Sequence, residues 1–261
     1  MSESTKYVRT SFPTKCTTII KEIPISIVNE FYNRATESVI DYDWNNETID
    51  RELRMSLCCI GGFIDYYLRH EIAKTHHLEL EDRNAEFFEE INCIRSCYEK
   101  FKNKQANIKE IYITSLSLQM ACGCPFKTLP RASRAIPKGF HFNGLDEWAA
   151  SLTGTNIMLQ PWIGSKSLQV LAYTSLIVDD EIIVFKFLKK VTERHFMQLL
   201  IYAACYKDIY NTYVDKVSIL NTRYGKKHTF TLSHQIIDDI SDLLIRSIQP
   251  QQSKDVEATE Q

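Results

Sequence analysis

The residues with the most suggestive chemistry lie between Ala172 and Tyr202. Two β-rich runs, Leu168–Val178 and Glu181–Leu188, flank Asp179–Asp180. That arrangement predicts two strands joined by a short hairpin turn. Pairing Val178 with Glu181 sets Ser175 opposite Val184, and strand alternation puts Val184 and Lys186 on one face. The next segment, Thr192 to about Asn211, reads as an amphipathic helix on Phe196, Leu199, Leu200, Ala203 and Ile209. On it His195, Gln198 and Tyr202 stand at i, i+3 and i+7, a polar stripe among apolar neighbours. A strand lysine facing such a stripe is unusual, because lysine is rarely buried without a partner. Basic residues flank this set. Lys189, Lys190 and Arg194 follow the second strand, and Arg223, Lys226, Lys227 and His228 lie in a later turn. Lys127, Arg131, Arg134 and Lys138 lie in a proline-rich stretch upstream. If these segments converge, the chemistry they offer is contact with phosphates. The plainer alternative is a scatter of solvated charges.

The aligned stretch reads Ala172-Tyr173-Thr174-Ser175, Val184-Phe185-Lys186 and Gln198-Leu199-Leu200-Ile201-Tyr202. It resembles the PD-(D/E)XK nuclease superfamily, in its RecB-like branch. There the pattern is Gly-x-x-Asp in one strand, (Asp/Glu)-x-Lys in the next and Gln-x-x-x-Tyr in the following helix. An upstream Gly-x-x-x-His helix of that branch has its counterpart in Gly61-Gly62-Phe63-Ile64-Asp65, with Asp65 where His is usual. The resemblance implies a restriction-endonuclease-like core and a remnant site of Lys186, Gln198, Tyr202 and Asp65. Both metal-binding acids are replaced, by Ser175 and Val184. Phosphodiester cleavage with Mg²⁺ needs carboxylates to hold the ion and lower the pKa of the attacking water. Serine is a weak neutral ligand and valine is none. Asp179, Asp180 and Glu181 sit at the hairpin tip, roughly 10 Å along the strand from position 184. The resemblance therefore implies a catalytically degenerate domain.

Weaker signals stand beside this one. Of eight cysteines, Cys93 and Cys97 share a helical face and Cys122-x-Cys124 follows, so four thiolates could meet a metal or cluster. Buried thiols are the simpler reading. His76-His77 beside Glu79 reads as a helix end rather than a metal site. No metal ligand set is assigned, and no cofactor is expected, Mg²⁺ being needed only by an active nuclease.

The elements that must position these residues follow from hydrophobic period and breakers. Leu57–Ile72, Phe87–Phe101 and Ile108–Met120 have helical spacing, and Ile27–Tyr32 opens an earlier helix. Gly61 and Gly62 inside the first of these imply close backbone approach. Glu37, Asp41, Asp43, Glu47, Asp50 and Glu52 form one acidic cluster in the mostly helical stretch, and residues 79–90 hold another. Both read as solvated helix faces. Pro125, Pro130 and Pro137 exclude regular structure in a long basic loop. The uncharged run Trp148–Ser165 reads as loops and strands. Val214–Asn221 and Thr229–Leu232 read as strands around the turn Arg223–Lys227, and Ser233 caps a last helix on Ile236, Ile240 and Leu244.

The expected architecture is α/β or α+β: a small mixed sheet with a hairpin, flanked by helices, after a helical N-terminal part. A flexible arm covers 1–15, one domain 16–248 (helical 16–124, basic loop 125–144, α/β core 145–248) and a disordered tail 249–261. The chain has 261 residues, 44% of them hydrophobic and 25% charged, which excludes global disorder and coiled-coil rods. A net charge of −2 excludes a generally basic nucleic-acid coat but leaves room for a local patch. No run of ~20 apolar residues occurs, so no membrane partner is expected. The start MSESTKYVRTSF carries no secretory signal, so the thiols are expected reduced, in an intracellular protein of cytoplasm or nucleus. The function expected is a nucleic-acid-binding or scaffolding module on a degenerate nuclease core. The alternatives are a divergent Mg²⁺-dependent deoxyribonuclease and a protein-interaction domain without nucleic acid. DNA, RNA or a protein is thus the expected partner.

Overall fold

Helices and strands form where the hydrophobic period changes, in a computed structural model that describes residues 36–39, 57–80, 92–121, 142, 144–168, 170 and 172–257. The arm at 1–15, the helix opened by Ile27, most of the basic loop at 125–144 and Cys122 and Cys124 lie outside the described residues.

Helix α1, Leu57–Thr75, is buried along most of its length, with Ile60, Ile64, Leu68 and Ile72 in the core and Arg69 and His70 buried beside them. A Cβ at Gly61 would stand 3.2 Å from Cβ of Phe187, which accounts for a glycine in mid-helix. The helix ends at His76 and His77. His76 Nε2 bonds the Ala149 carbonyl at 2.9 Å, and His77 adopts φ 56°. The pair is a helix terminus. Helices α2, Asn92–Lys102, and α3, Ile108–Ala121, pack together, and α3 also packs on α1. The uncharged run expected as loops and strands begins instead inside a helix, α4, Leu145–Ser151, which packs on α1. Asp146 and Glu147 in its first turn favour the helix there.

Six strands form one mixed sheet. They are β1, Thr36–Val39; β2, Ile157–Leu159; β3, Leu176–Val178; β4, Glu181–Lys186; β5, Lys216–Asn221; and β6, Lys226–Thr231. Their order is β1-β6-β5-β4-β3-β2, antiparallel except that β4 runs parallel to β5. Parallel neighbours need a crossover, and α5, Glu193–Tyr210, supplies it. Helix α6, His234–Glu257, packs beside α5 and continues past Gln249–Pro250, where the sequence suggests a disordered tail.

The sheet separates two cores. Ile182, Val184, Val217, Ile219 and Phe230 face α5 and α6. Ile183, Phe185, Leu176 and Leu220 face α1 and its companion helices. Alternating positions of β4 thus serve opposite layers, which explains why its four central residues, Ile182 to Phe185, are all apolar and buried. The architecture is α/β with a mixed sheet between helical layers, as the element pattern predicts. Among the described residues no helix is long and apolar enough to cross a membrane.

Three further sequence expectations change. Leu168–Val178 is not one strand: only Leu176–Val178 is regular, preceded by single bridges at Ser165↔Val170 and Trp162↔Tyr173. Lys226 and Lys227 lie in β6 rather than in the turn, which closes earlier around Gly225 at φ 61°. Glu37, taken for a solvated helix face, stands in edge strand β1 opposite His228.

Candidate nucleic-acid interface

The hairpin has the expected register. Val178 pairs with Glu181 and Leu176 with Ile183, so Ser175 stands across from Val184. Beyond Leu176 side chains take over the ladder. The Phe185 N–H donates to Ser175 Oγ at 3.0 Å, and Thr174 Oγ1 donates to the Ile183 carbonyl at 3.0 Å. Ser175 therefore closes a backbone hydrogen bond at the position where the resemblance expects an acid. Val184 is 5% exposed and belongs to the core beneath α5. Neither position presents a ligand to a cation.

Lys186 ends β4 and is half-buried. Burial pushes its ammonium pKa below the ordinary lysine value, and the charge of Asp65 on α1 opposes that push. Asp65 is itself held by Arg69, whose Nε lies 3.2 Å from Oδ2, one turn along α1. Arg69 is 2% exposed and its guanidinium lies 4.0 Å over the Tyr66 ring. The Asp65 carboxylate thus balances a buried cation.

The polar stripe of α5 has local roles. The Thr192 N–H donates to His195 Nδ1 at 3.0 Å, and Thr192 Oγ1 is 2.9 Å from the same nitrogen. His195 takes the place of the Glu or Gln that usually completes a capping box. Burial first, then the Lys186 charge, holds its pKa below the usual histidine value. Gln198 Nε2 donates to the Tyr202 hydroxyl at 2.6 Å, so these two side chains satisfy each other.

Two of the three hairpin acids, Asp179 and Glu181, are occupied. Asp179 Oδ1 accepts the Thr155 and Asn156 N–H groups and the Thr155 hydroxyl, each at 2.9 Å. These bonds, the one from Asn156 foremost, lower its pKa. Glu181 accepts from the Ser218 hydroxyl and pairs with Lys227 at 2.8 Å. Among the described residues no group of three His, Cys, Asp or Glu could hold a metal ion.

Basic residues gather at the far end of the strands. A pocket of about 470 Å³ opens there, and Lys189, Lys190, Tyr224, Lys226, His228 and Glu37 are among its lining residues. Asn221 fixes its frame: Nδ2 donates to the Leu188 carbonyl at 3.1 Å, while Oδ1 accepts the Leu188 and Arg223 N–H groups at 3.1 and 3.2 Å. Lys189 and Lys190 are exposed, and among the described residues neither has an acidic partner. Lys226 Nζ is 2.6 Å from Glu37 Oε1, and His228 Nδ1 is 3.6 Å from Oε2. The hydrogen bond from Lys226 holds the Glu37 carboxyl below its ordinary pKa. Burial lowers the pKa of His228, against the pull of Glu37.

The basic residues expected from sequence thus divide. Lys189, Lys190 and Lys226 meet at one opening. Arg194 is exposed in the first turn of α5. Lys227 is on the other face, paired with Glu181, and Arg223 is 9% exposed, its guanidinium 5.3 Å from the Phe187 ring. Lys127, Arg131, Arg134 and Lys138 lie outside the described residues. Glu37, Asn221 and Tyr224 are among the pocket residues that sequence reasoning passed over. The nearest signal was Gly225, which marks a turn that leaves its preceding side chain outside. Comparison with family models, with curated proteins and with solved structures finds no match for this chain.

Proposed function

We propose that this chain is a nucleic-acid-binding module built on a RecB-like PD-(D/E)XK core whose cleavage site has degenerated. The observation that carries the proposal is the meeting of Lys189, Lys190 and Lys226 from two separate segments around one opening of about 470 Å³. Two of these cations have no acidic partner among the described residues, which is the arrangement a phosphate backbone needs. The element order supports the reading: α1, then the meander β2-β3-β4, the crossover α5 and the parallel strand β5. The occupants of positions 175 and 184 support the loss of cleavage, since one closes the ladder and the other fills the core. The cofactor requirement falls away with the acids.

Fluorescence anisotropy with labelled oligonucleotides tests this. Binding is expected at low salt with little sequence preference. Its log–log salt slope should be about −0.7 to −0.9 per phosphate neutralised. Lys189→Glu with Lys190→Glu should weaken binding at least about tenfold while leaving the melting curve intact, because both side chains are exposed. Absence of binding at micromolar protein, or binding indifferent to the double charge reversal, would remove this function and leave a protein-interaction domain.

A further inference from the structure

The pocket has an aromatic wall as well as lysines. Tyr224 is 42% exposed, whereas most aromatic residues of known burial lie in the two cores. Its ring is braced from one side: the Arg223 guanidinium carbon sits 5.7 Å from the Tyr224 centroid and 5.3 Å from that of Phe187. Contacts of that length hold a cation against an aromatic face. The turn that presents the ring is fixed by Gly225 at φ 61° and by the Tyr224 N–H donating to the Asn221 carbonyl at 3.1 Å. A braced, exposed aromatic ring needs little further ordering when a flat ligand lands on it.

The charges beside it divide into two kinds. Glu37 already holds an anion's place against Lys226 and His228, at 2.6 and 3.6 Å. That leaves Lys189 and Lys190 as the cations open to a phosphate. The volume, about 470 Å³, lies within the range of roughly 300–1,000 Å³ for pockets that take a small organic group. It is too small for a duplex and sufficient for one nucleotide.

We infer that this pocket is a single-nucleotide subsite for an unpaired strand, with the base stacked on Tyr224 and its phosphate held by Lys189 and Lys190. The inference rests on the nucleic-acid reading above and goes beyond it. A bare basic surface serves duplex and single strand alike, whereas a stacking platform needs a base whose face is exposed. Every base has such a face, so the subsite discriminates strandedness, not sequence.

The test uses the full chain and three probes: a labelled 12-mer of deoxythymidine, the same length of oligouridine, and a 12-base-pair duplex. The single strands should bind at least about tenfold tighter than the duplex at low salt. Tyr224→Ala should weaken single-strand binding about tenfold, leave duplex binding unchanged and leave the melting curve intact. Tyr224→Phe should bind as the parent does, and Tyr224→Trp should bind tighter, with quenching of the added indole when the strand is bound. The oligouridine arm separates RNA from DNA as the source of the strand. Equal binding of duplex and single strand, with Tyr224→Ala indifferent while the Lys189/Lys190 reversal still abolishes binding, overturns the subsite and keeps the nucleic-acid module. No binding of any probe overturns both.

Discussion

Lys186 is the residue whose surroundings say most about the proposed loss of cleavage. Its ammonium is half-buried at the end of β4, and the nearby carboxylate of Asp65 is bound to Arg69. Its pKa is lowered in the folded chain, so at alkaline pH the unfolded chain binds more protons than the folded one. Stability contributed by this group therefore rises with pH, from the lowered folded value up to the ordinary value of about 10.4, and levels off above it. Replacing the ammonium with an apolar side chain of similar length removes that dependence. Lys186→Met should be more stable than the parent at pH 7 by something on the order of 1 kcal/mol, the scale of an imperfectly paired buried group. The advantage should shrink as pH approaches about 10. Urea unfolding at pH 7 and pH 9.5 checks this; equal stability of the two proteins at both values would show that Lys186 is fully compensated. The position of Lys186 was legible from spacing, and so was the opposition of Ser175 to Val184, because strand alternation and a two-residue turn leave little freedom. The task of Ser175 was not legible. A serine opposite a strand reads as a failed ligand until the Phe185 N–H is seen to lack a backbone acceptor across the hairpin. His195 was equally opaque, since its bond to Thr192 depends on where the helix starts.

Among elements, the hairpin β3–β4 carries both the sheet centre and the positions of the proposed remnant site, and its turn is secured by one carboxylate. Asp179 has φ 51°, a backbone state that few residues other than Gly, Asn and Asp adopt readily. Its Oδ1 accepts from Thr155 and Asn156, which tie the approach to β2 onto the hairpin tip. These bonds lower its pKa, so their stabilisation is full above the unfolded value of about 3.9 and is lost as pH falls through the folded value. Asp179→Asn keeps the turn geometry but cannot titrate. Its melting temperature should fall below that of the parent at pH 7, and the two should converge near pH 2. Asp179→Ala, which loses both the acceptor and the tolerance for positive φ, should melt lower than Asp179→Asn at pH 7. Thermal melts between pH 2 and pH 7 decide it; a gap that persists unchanged at pH 2 would assign the effect to the turn and not to the charge. Elements with strong periods were readable: α1, α3, α5, β4 and β5 fall close to where apolar spacing puts them. The exceptions have local causes. The segment before Leu176 leaves the ladder because Thr174 and Ser175 bond it through side chains, while Ser165 and Ser167 tie the preceding loop to Asp208 of α5. β1 was hidden because four residues of an edge strand, with a glutamate among them, carry too short a pattern to separate from the acidic stretch around them.

At the scale of the whole molecule, the two helical layers enclose the sheet and leave its strand ends as the place where charge collects. A net charge of −2 gives no long-range attraction for a polyanion, so the proposed nucleic-acid recognition rests on the local opening at Lys189, Lys190 and Tyr224. The same architecture bears on catalysis. A divalent cation would need oxygens converging on one point, yet three carboxylates around the hairpin and Lys186 are drawn elsewhere. Asp65 goes to Arg69, Asp179 to the backbone before β2, and Glu181 to Ser218 and Lys227. Freeing any one of them would uncover a buried cation or unpaired donors, and no single migrated acid makes a pair. The purified protein should therefore show a melting temperature shifted by less than about 1 °C in roughly 10 mM Mg²⁺ or Mn²⁺, since weak binding leaves the folding equilibrium almost unchanged. Incubated with linear single- and double-stranded DNA in the same buffers, it should leave both intact. Val184→Asp should not rescue cleavage: a carboxylate buried in the core beneath α5 should cost on the order of 2–3 kcal/mol. Metal-dependent cleavage by the parent that vanishes in Lys186→Ala would reverse the assignment. It would mean that a carboxylate outside the described residues completes the site, with Lys186 acting beside the ion, and the chain would then be a divergent nuclease.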